Sequence, residues 1–138
     1  MAVKRMFSMS VVDSDDFLDL PLTAQGLYFH LCMRADDDGF LNNPRKIQRM
    51  VGAAEEDLAL LLERGFLLGF DSGVVAATHW LVNNTIRRDR YTPTRYREEM
   101  GTLAVRSGGE YAKAAEEDVL PFLWRPPGNH PATQNSIE

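Results

Sequence analysis

The sequence predicts a mainly α-helical fold with one small β-hairpin, and three observations predict it. Apolar residues recur at helical spacing in three successive stretches: Ala24, Leu27, Tyr28, Leu31 and Ala35; then Ile47, Met50 and Val51; then Leu58, Leu61 and Leu62. A tight turn at Gly52 separates the last two, the spacing of a helix-turn-helix. The period then shortens to that of strands. Phe66 to Phe70, the turn Asp71-Ser72-Gly73, and Val74 to Thr78 read as a hairpin in the place of a wing. The expected architecture is therefore a winged helix-turn-helix with N- and C-terminal helical extensions.

Each element has its own signals. Residues 5 to 12 are a β-prone stretch. Ser14 or Asp13 can cap a short helix that ends by Pro21, with acids at the positive end of its dipole. Thr23 is placed as the N-cap of the first long helix, with Leu22 and Leu27 in staple arrangement. Asp36-Asp37-Asp38-Gly39 stops that helix as a turn cluster. Phe40 and Leu41 are extended. Asn43 as cap and Pro44 at the first helical position restart a helix, and Gly52 closes it as a left-handed cap. Glu55, Glu56 and Asp57 open the next helix, which Gly65 ends. A further helix is predicted from Thr94, with Tyr96, Met100 and Leu103 on one face, broken by Ser107-Gly108-Gly109. One more helix is predicted over 110 to 120, and 125 to 138 read as a flexible tail. The expected organisation is an N-terminal strand and helix extension (1–22), the winged-helix core (23–82), a basic linker and helix (83–106), and a C-terminal helix and tail (107–138).

Composition narrows the function classes. The chain has 138 residues, 44% hydrophobic and 25% charged, enough for one core without staples. No run approaches the length of a membrane span, and the N-terminus lacks the apolar stretch of a signal peptide. The single Cys32 excludes an internal disulfide, so the expected location is cytoplasmic. The net charge of −5 conceals a segregated pattern. Residues 13 to 38 carry seven Asp and one Arg, whereas residues 84 to 97 carry five Arg and one Asp. A basic face can meet phosphate and an acidic face another protein.

No catalytic constellation is visible. The serines lack a nucleophile elbow, His30 and His79 lack metal-binding context, and no glycine-rich phosphate loop occurs. Asp36-Asp37-Asp38-Gly39 fails the calcium-loop pattern, because its first ligand position would be Arg34. The expectation is a non-enzymatic chain with no cofactor and no metal. The candidate DNA-binding residues are Arg45, Lys46 and Arg49 on the first helix of the helix-turn-helix, and Arg87, Arg88, Arg90, Arg95 and Arg97 after the wing. Tyr91 and Tyr96 interleave the second group, a pattern that suits phosphate contact and base stacking and so suits single strands too; the expected partner is DNA, duplex or single-stranded. Lys4 and Arg5 add basic charge on the N-terminal arm. The second helix is a poor groove reader: with Leu58, Leu61 and Leu62 inward, its outer face carries Ala53, Glu56, Leu60 and Glu63, with Arg64 at the edge.

Several stretches together resemble a known family. They are Arg5-Met6-Phe7-Ser8, Ser14 to Asp19, Leu22-Thr23-Ala24-Gln25, Leu27 to Leu31, Arg34 to Phe40, Asn43 to Ile47, His79-Trp80, and Ile86 to Tyr91. In order and spacing, residues 4 to 96 resemble the N-terminal winged-helix domain of phage and bacterial replisome organisers, the DnaD-like replication initiators. The resemblance implies a domain that binds DNA, self-associates and helps recruit helicase-loading proteins. Family members continue into a second domain, for which residues 100 to 138 are too short. Fold alone does not fix function. The alternatives are a protein-interaction or oligomerisation module, for which the acidic second helix and the acidic stretch speak, and a winged-helix transcriptional regulator. A homo-oligomer is expected, because Met6, Phe7, Phe17, Leu18, Trp80 and Leu81 exceed the apolar needs of a small winged helix.

Overall fold

A computed structural model describes residues 3–114. Among them the chain forms seven α-helices and two small antiparallel sheets, a mixed α/β architecture. Two single-turn helices, α1 (Met9–Val12) and α2 (Asp15–Leu18), precede the long α3 (Leu22–Met33). Strand β1 (Phe40–Leu41) leads to α4 (Pro44–Val51) and α5 (Glu55–Glu63). The hairpin follows as β2 (Leu67–Gly69) and β3 (Val75–Ala77). Beyond it lie α6 (Trp80–Asn83), a 3₁₀ turn at Arg88–Arg90, α7 (Arg97–Gly101), and a second hairpin of β4 (Leu103–Val105) and β5 (Tyr111–Lys113).

Helices α3, α4 and α5 pack on one another and on a three-stranded sheet of order β1-β3-β2. Phe40 pairs with Ala76 and Leu67 with Ala77, so both outer strands run antiparallel to β3. The core between these layers contains Leu27, Leu31, Ile47, Leu58, Leu61, Phe66 and Val75, all expected from the helical and strand periods. An aromatic cluster extends it: Phe17 stands edge-on to Tyr28 at 5.3 Å and to Phe66 at 5.5 Å, and Phe7 edge-on to Phe29 at 4.8 Å. Phe7, Phe17 and Trp80 thus pack into their own chain, whereas Met6 and Leu18 stay exposed.

The structure departs from the sequence reading at several elements, each for a local reason. Residues 5 to 12 form no strand. The N–H groups of Met6 and Ser8 donate to the side chains of Asn84 and Asn83 instead of to a strand edge, and Ser8 caps α1. Thr23 is not the cap of α3, which starts at Leu22 behind Pro21; its hydroxyl donates to Asp57 of α5 at 2.9 Å. Met50 faces out and Gln48 is buried in its place, its amide donating to the Ala53 carbonyl. Leu62 is 38% exposed. Leu103 belongs to β4, because the helix before it ends at Gly101. Where a helix is predicted from residue 110, Tyr111–Lys113 form a strand paired with β4; the rest of that stretch and the tail lie outside the described residues.

Two glycines separate backbone strain from packing. Gly52 and Gly39 both have positive φ, at 81° and 91°. A Cβ on Gly52 would meet nothing, whereas one on Gly39 would lie 2.6 Å from the ring of the fully buried Trp80. Gly52→Ala should cost about 1 kcal/mol from backbone strain alone. Gly39→Ala should cost about 2–4 kcal/mol, because overpacking against the indole adds to the strain. Urea unfolding of both variants checks this; equal losses would mean that Trp80 yields freely.

Candidate nucleic-acid interface

The arginines after the hairpin are held in place by the acidic turn at residues 36 to 38. Asp36 accepts from the N–H groups of Asp38 and Phe40 through one oxygen and from the Thr94 hydroxyl through the other. Asp37 accepts from the Thr92 N–H at 3.0 Å and from Arg5 at 3.1 Å, and its carbonyl accepts from the Trp80 indole. Asp38, with no exposed surface, accepts from the Tyr91 hydroxyl at 2.7 Å and the Thr94 N–H at 2.8 Å. Tyr111 donates to the Asp38 carbonyl. Residues 91 to 94 therefore run as a strap across the turn. Three of the seven aspartates of the acidic stretch are thus committed to internal bonds, with Asp38 fully buried and Asp36 and Asp37 partly so.

Strap, turn and N-terminal arm enclose a groove of about 1160 Å³. Its lining includes Lys4, Arg34, Arg87, Arg90 and Arg95, all exposed, together with Tyr96 and the inner Arg5. The acids in its lining are Asp36 and Asp37, both already bonded. A second groove, of about 950 Å³, runs between α4, α5 and the hairpin. Arg45, Lys46 and Arg49 line it opposite Glu55 and Glu56, over an apolar floor that includes Leu58, Leu62 and Val74. The grooves adjoin: Asn42 and Asn43, in the turn between β1 and α4, line both.

The structure thus gathers six of the eight predicted residues, Arg45, Lys46 and Arg49 in one groove and Arg87, Arg90 and Arg95 in the other. Arg88 and Arg97 are exposed but line neither. Arg87 also pairs with Asp89 at 3.1 Å, both side chains mostly exposed, a contact worth about 0–1 kcal/mol. Arg5 is structural: its side chain is 5% exposed, bonded to Asp37 and the Ala35 carbonyl, and lies over the Trp80 ring. Arg34, Asn42 and Asn43 were not singled out from sequence as site residues. The Asn-Asn pair one residue before Arg45-Lys46 was the available signal. On α5, Glu56, Glu63 and Arg64 are exposed as predicted, Arg64 lying 3.6 Å from Asp19, while Leu60 packs partly against the core.

Among the described residues no group of His, Cys, Asp and Glu could hold a metal ion, and no helix is long and apolar enough to cross a membrane. Burial pushes the Cys32 thiol up to about 12, which leaves it protonated and a weak nucleophile. No family model, curated protein or solved structure matches the chain.

Asp38 gives the site a pH signature. Burial, against the hydrogen bonds from Tyr91 and Thr94, raises its carboxyl from 3.8 to about 6; Asp36 and Asp37 push the same way. The folded chain then holds this proton more tightly than the unfolded chain. Ionised Asp38 costs stability above about pH 6, and that cost fades as pH falls toward its ordinary value. Lowering the pH from about 7 to about 5 should stabilise the wild type relative to Asp38→Asn by about 1 kcal/mol. Parallel urea curves at the two pH values check this; an equal pH response in both proteins would count against it.

Proposed function

We propose that the chain is a non-enzymatic, DNA-binding module of winged-helix type. The topology supports the fold reading: β1 lies between the first and second helices of the trio, and the hairpin after the third completes a sheet of order β1-β3-β2. The observation that carries the DNA reading is the adjoining pair of grooves, which together present eight exposed basic side chains. Lys4, Arg34, Arg87, Arg90 and Arg95 stand on one side of the Asn42-Asn43 seam, and Arg45, Lys46 and Arg49 on the other. Cations distributed in this way suit the phosphates of a nucleic-acid backbone. Glu55 and Glu56 disfavour a backbone laid along α5, so the contact face shifts to α4 and the strap.

The placement in replication initiation, with helicase-loading proteins as partners, rests on the resemblance to DnaD-like replisome organisers. Self-association belongs to the same proposal. It is supported by Leu22 and Leu18, 80% and 55% exposed on the N-terminal helices. A monomeric mass at tens of micromolar would overturn it.

Anisotropy titrations against labelled duplex at several salt concentrations test the DNA reading. Each phosphate neutralised adds about 0.9 to the slope of log affinity against log salt. Arg45→Ala/Lys46→Ala/Arg49→Ala and Arg87→Ala/Arg90→Ala/Arg95→Ala should each flatten that slope by about 2–3. Glu55→Gln/Glu56→Gln should tighten binding, because a repulsion is removed. Affinity untouched by both triple variants would sink the proposed face.

A further inference from the structure

The seam between the two grooves has chemistry that neither groove has alone. Asn42 and Asn43 are both exposed, and neither side chain is hydrogen-bonded within the described residues. For Asn43 this is unusual. It stands at the N-cap of α4, where an Asn side chain ordinarily accepts a bond from the first turn, and it makes no such bond. Both amides therefore keep their donors and acceptors open, with Arg45, Lys46 and Arg49 on one side and Arg87, Arg90 and Arg95 on the other.

Phosphate contacts position a protein on DNA but carry no sequence information; base edges carry it. The side chain of Asn matches adenine in the major groove, accepting from N6 and donating to N7. The helix that ordinarily supplies such readers offers Glu55 and Glu56 to its groove instead. We infer that Asn42 and Asn43 are the base-reading residues of this protein, selecting adenine in the major groove of duplex DNA while the flanking cations hold the phosphates. This inference rests on the DNA-binding reading above and adds to it a specificity element outside α5.

The test is enrichment of the full chain on a random-sequence duplex pool, with a single-stranded pool alongside, at two salt concentrations. The wild type should favour adenine at one or two adjacent positions by about five- to a hundredfold. Asn42→Ala/Asn43→Ala should bind the unselected pool within about threefold of the wild type, with the same salt slope, because its phosphate contacts are intact. Its base preference should fall below about twofold. Asn43→Ser adds the control for a structural role. Serine caps a helix as well as asparagine does but cannot form the paired contact, so this variant should keep its melting temperature and lose preference. Three results overturn the inference while leaving DNA binding intact: no preference in the wild type, preference retained in the double variant, or equal affinity and preference on the single-stranded pool. Absence of salt-dependent binding by the wild type overturns the DNA-binding reading itself.

Discussion

The turn Asp36-Asp37-Asp38 is the constraint on which the rest of the molecule depends. Three adjacent carboxylates repel one another, and one of them is fully buried. Such a group is tolerated only when hydrogen bonds replace the water it has lost. For Asp38 the replacement is partial: the Tyr91 hydroxyl and the Thr94 N–H both donate to Oδ2, and Oδ1 has no partner among the described residues. The donors to Asp36 and Asp37 are likewise mostly neutral, the N–H groups of Phe40 and Thr92 and the Thr94 hydroxyl. Among the described residues, Arg5 is the one cation paired with the turn. The acidic turn therefore fixes the arginine-bearing segment to the core without spending the charge of Arg87, Arg90 or Arg95. A salt-bridged turn would have anchored the strap equally well and left a groove with little attraction for phosphate.

That arrangement explains which parts of the fold were legible in the sequence. The trio α3 to α5 and the first hairpin are set by local signals: apolar period, Pro44 inside the start of α4, and left-handed glycines at 52 and 65. The acidic turn was legible as a helix stop, but not as an anchor. Its partners Tyr91, Thr92 and Thr94 lie more than fifty residues away, and no periodicity links them. A separation of 32 residues from Asp37 likewise hid the buried role of Arg5. Single-turn α6 and the three-residue strands of the second hairpin are too short for a period to declare itself. Leu62 shows a different limit: it lies on the apolar stripe but at its margin, where the open groove rather than the core meets it.

The candidate site was half legible for a related reason. Clustered arginines stand out in a sequence, and six of the eight fall in the two grooves. The grooves also draw on Lys4, Arg34, Asn42 and Asn43 from three separate segments. Only the antiparallel placement of β1 against β3, and the strap across the turn, bring those segments together.

The acids at the start of α5 serve two separate ends. Asp57 is buried and structural: it accepts from the Ala54 N–H before its own helix and from the Thr23 hydroxyl of α3, locking the two helices together. Glu55 and Glu56 favour the helix through its dipole, a local gain of about 0.3–1 kcal/mol each. Both remain exposed toward Arg45, Lys46 and Arg49 across the groove. A phosphate backbone approaching this face meets attraction from α4 and repulsion from α5. On the proposed reading the balance tilts a duplex toward α4 and the Asn42-Asn43 seam, and beyond that seam lies the groove whose exposed cations outnumber its two partly buried acids, Asp36 and Asp37. Stability of α5 and placement of the proposed DNA face thus have one electrostatic origin.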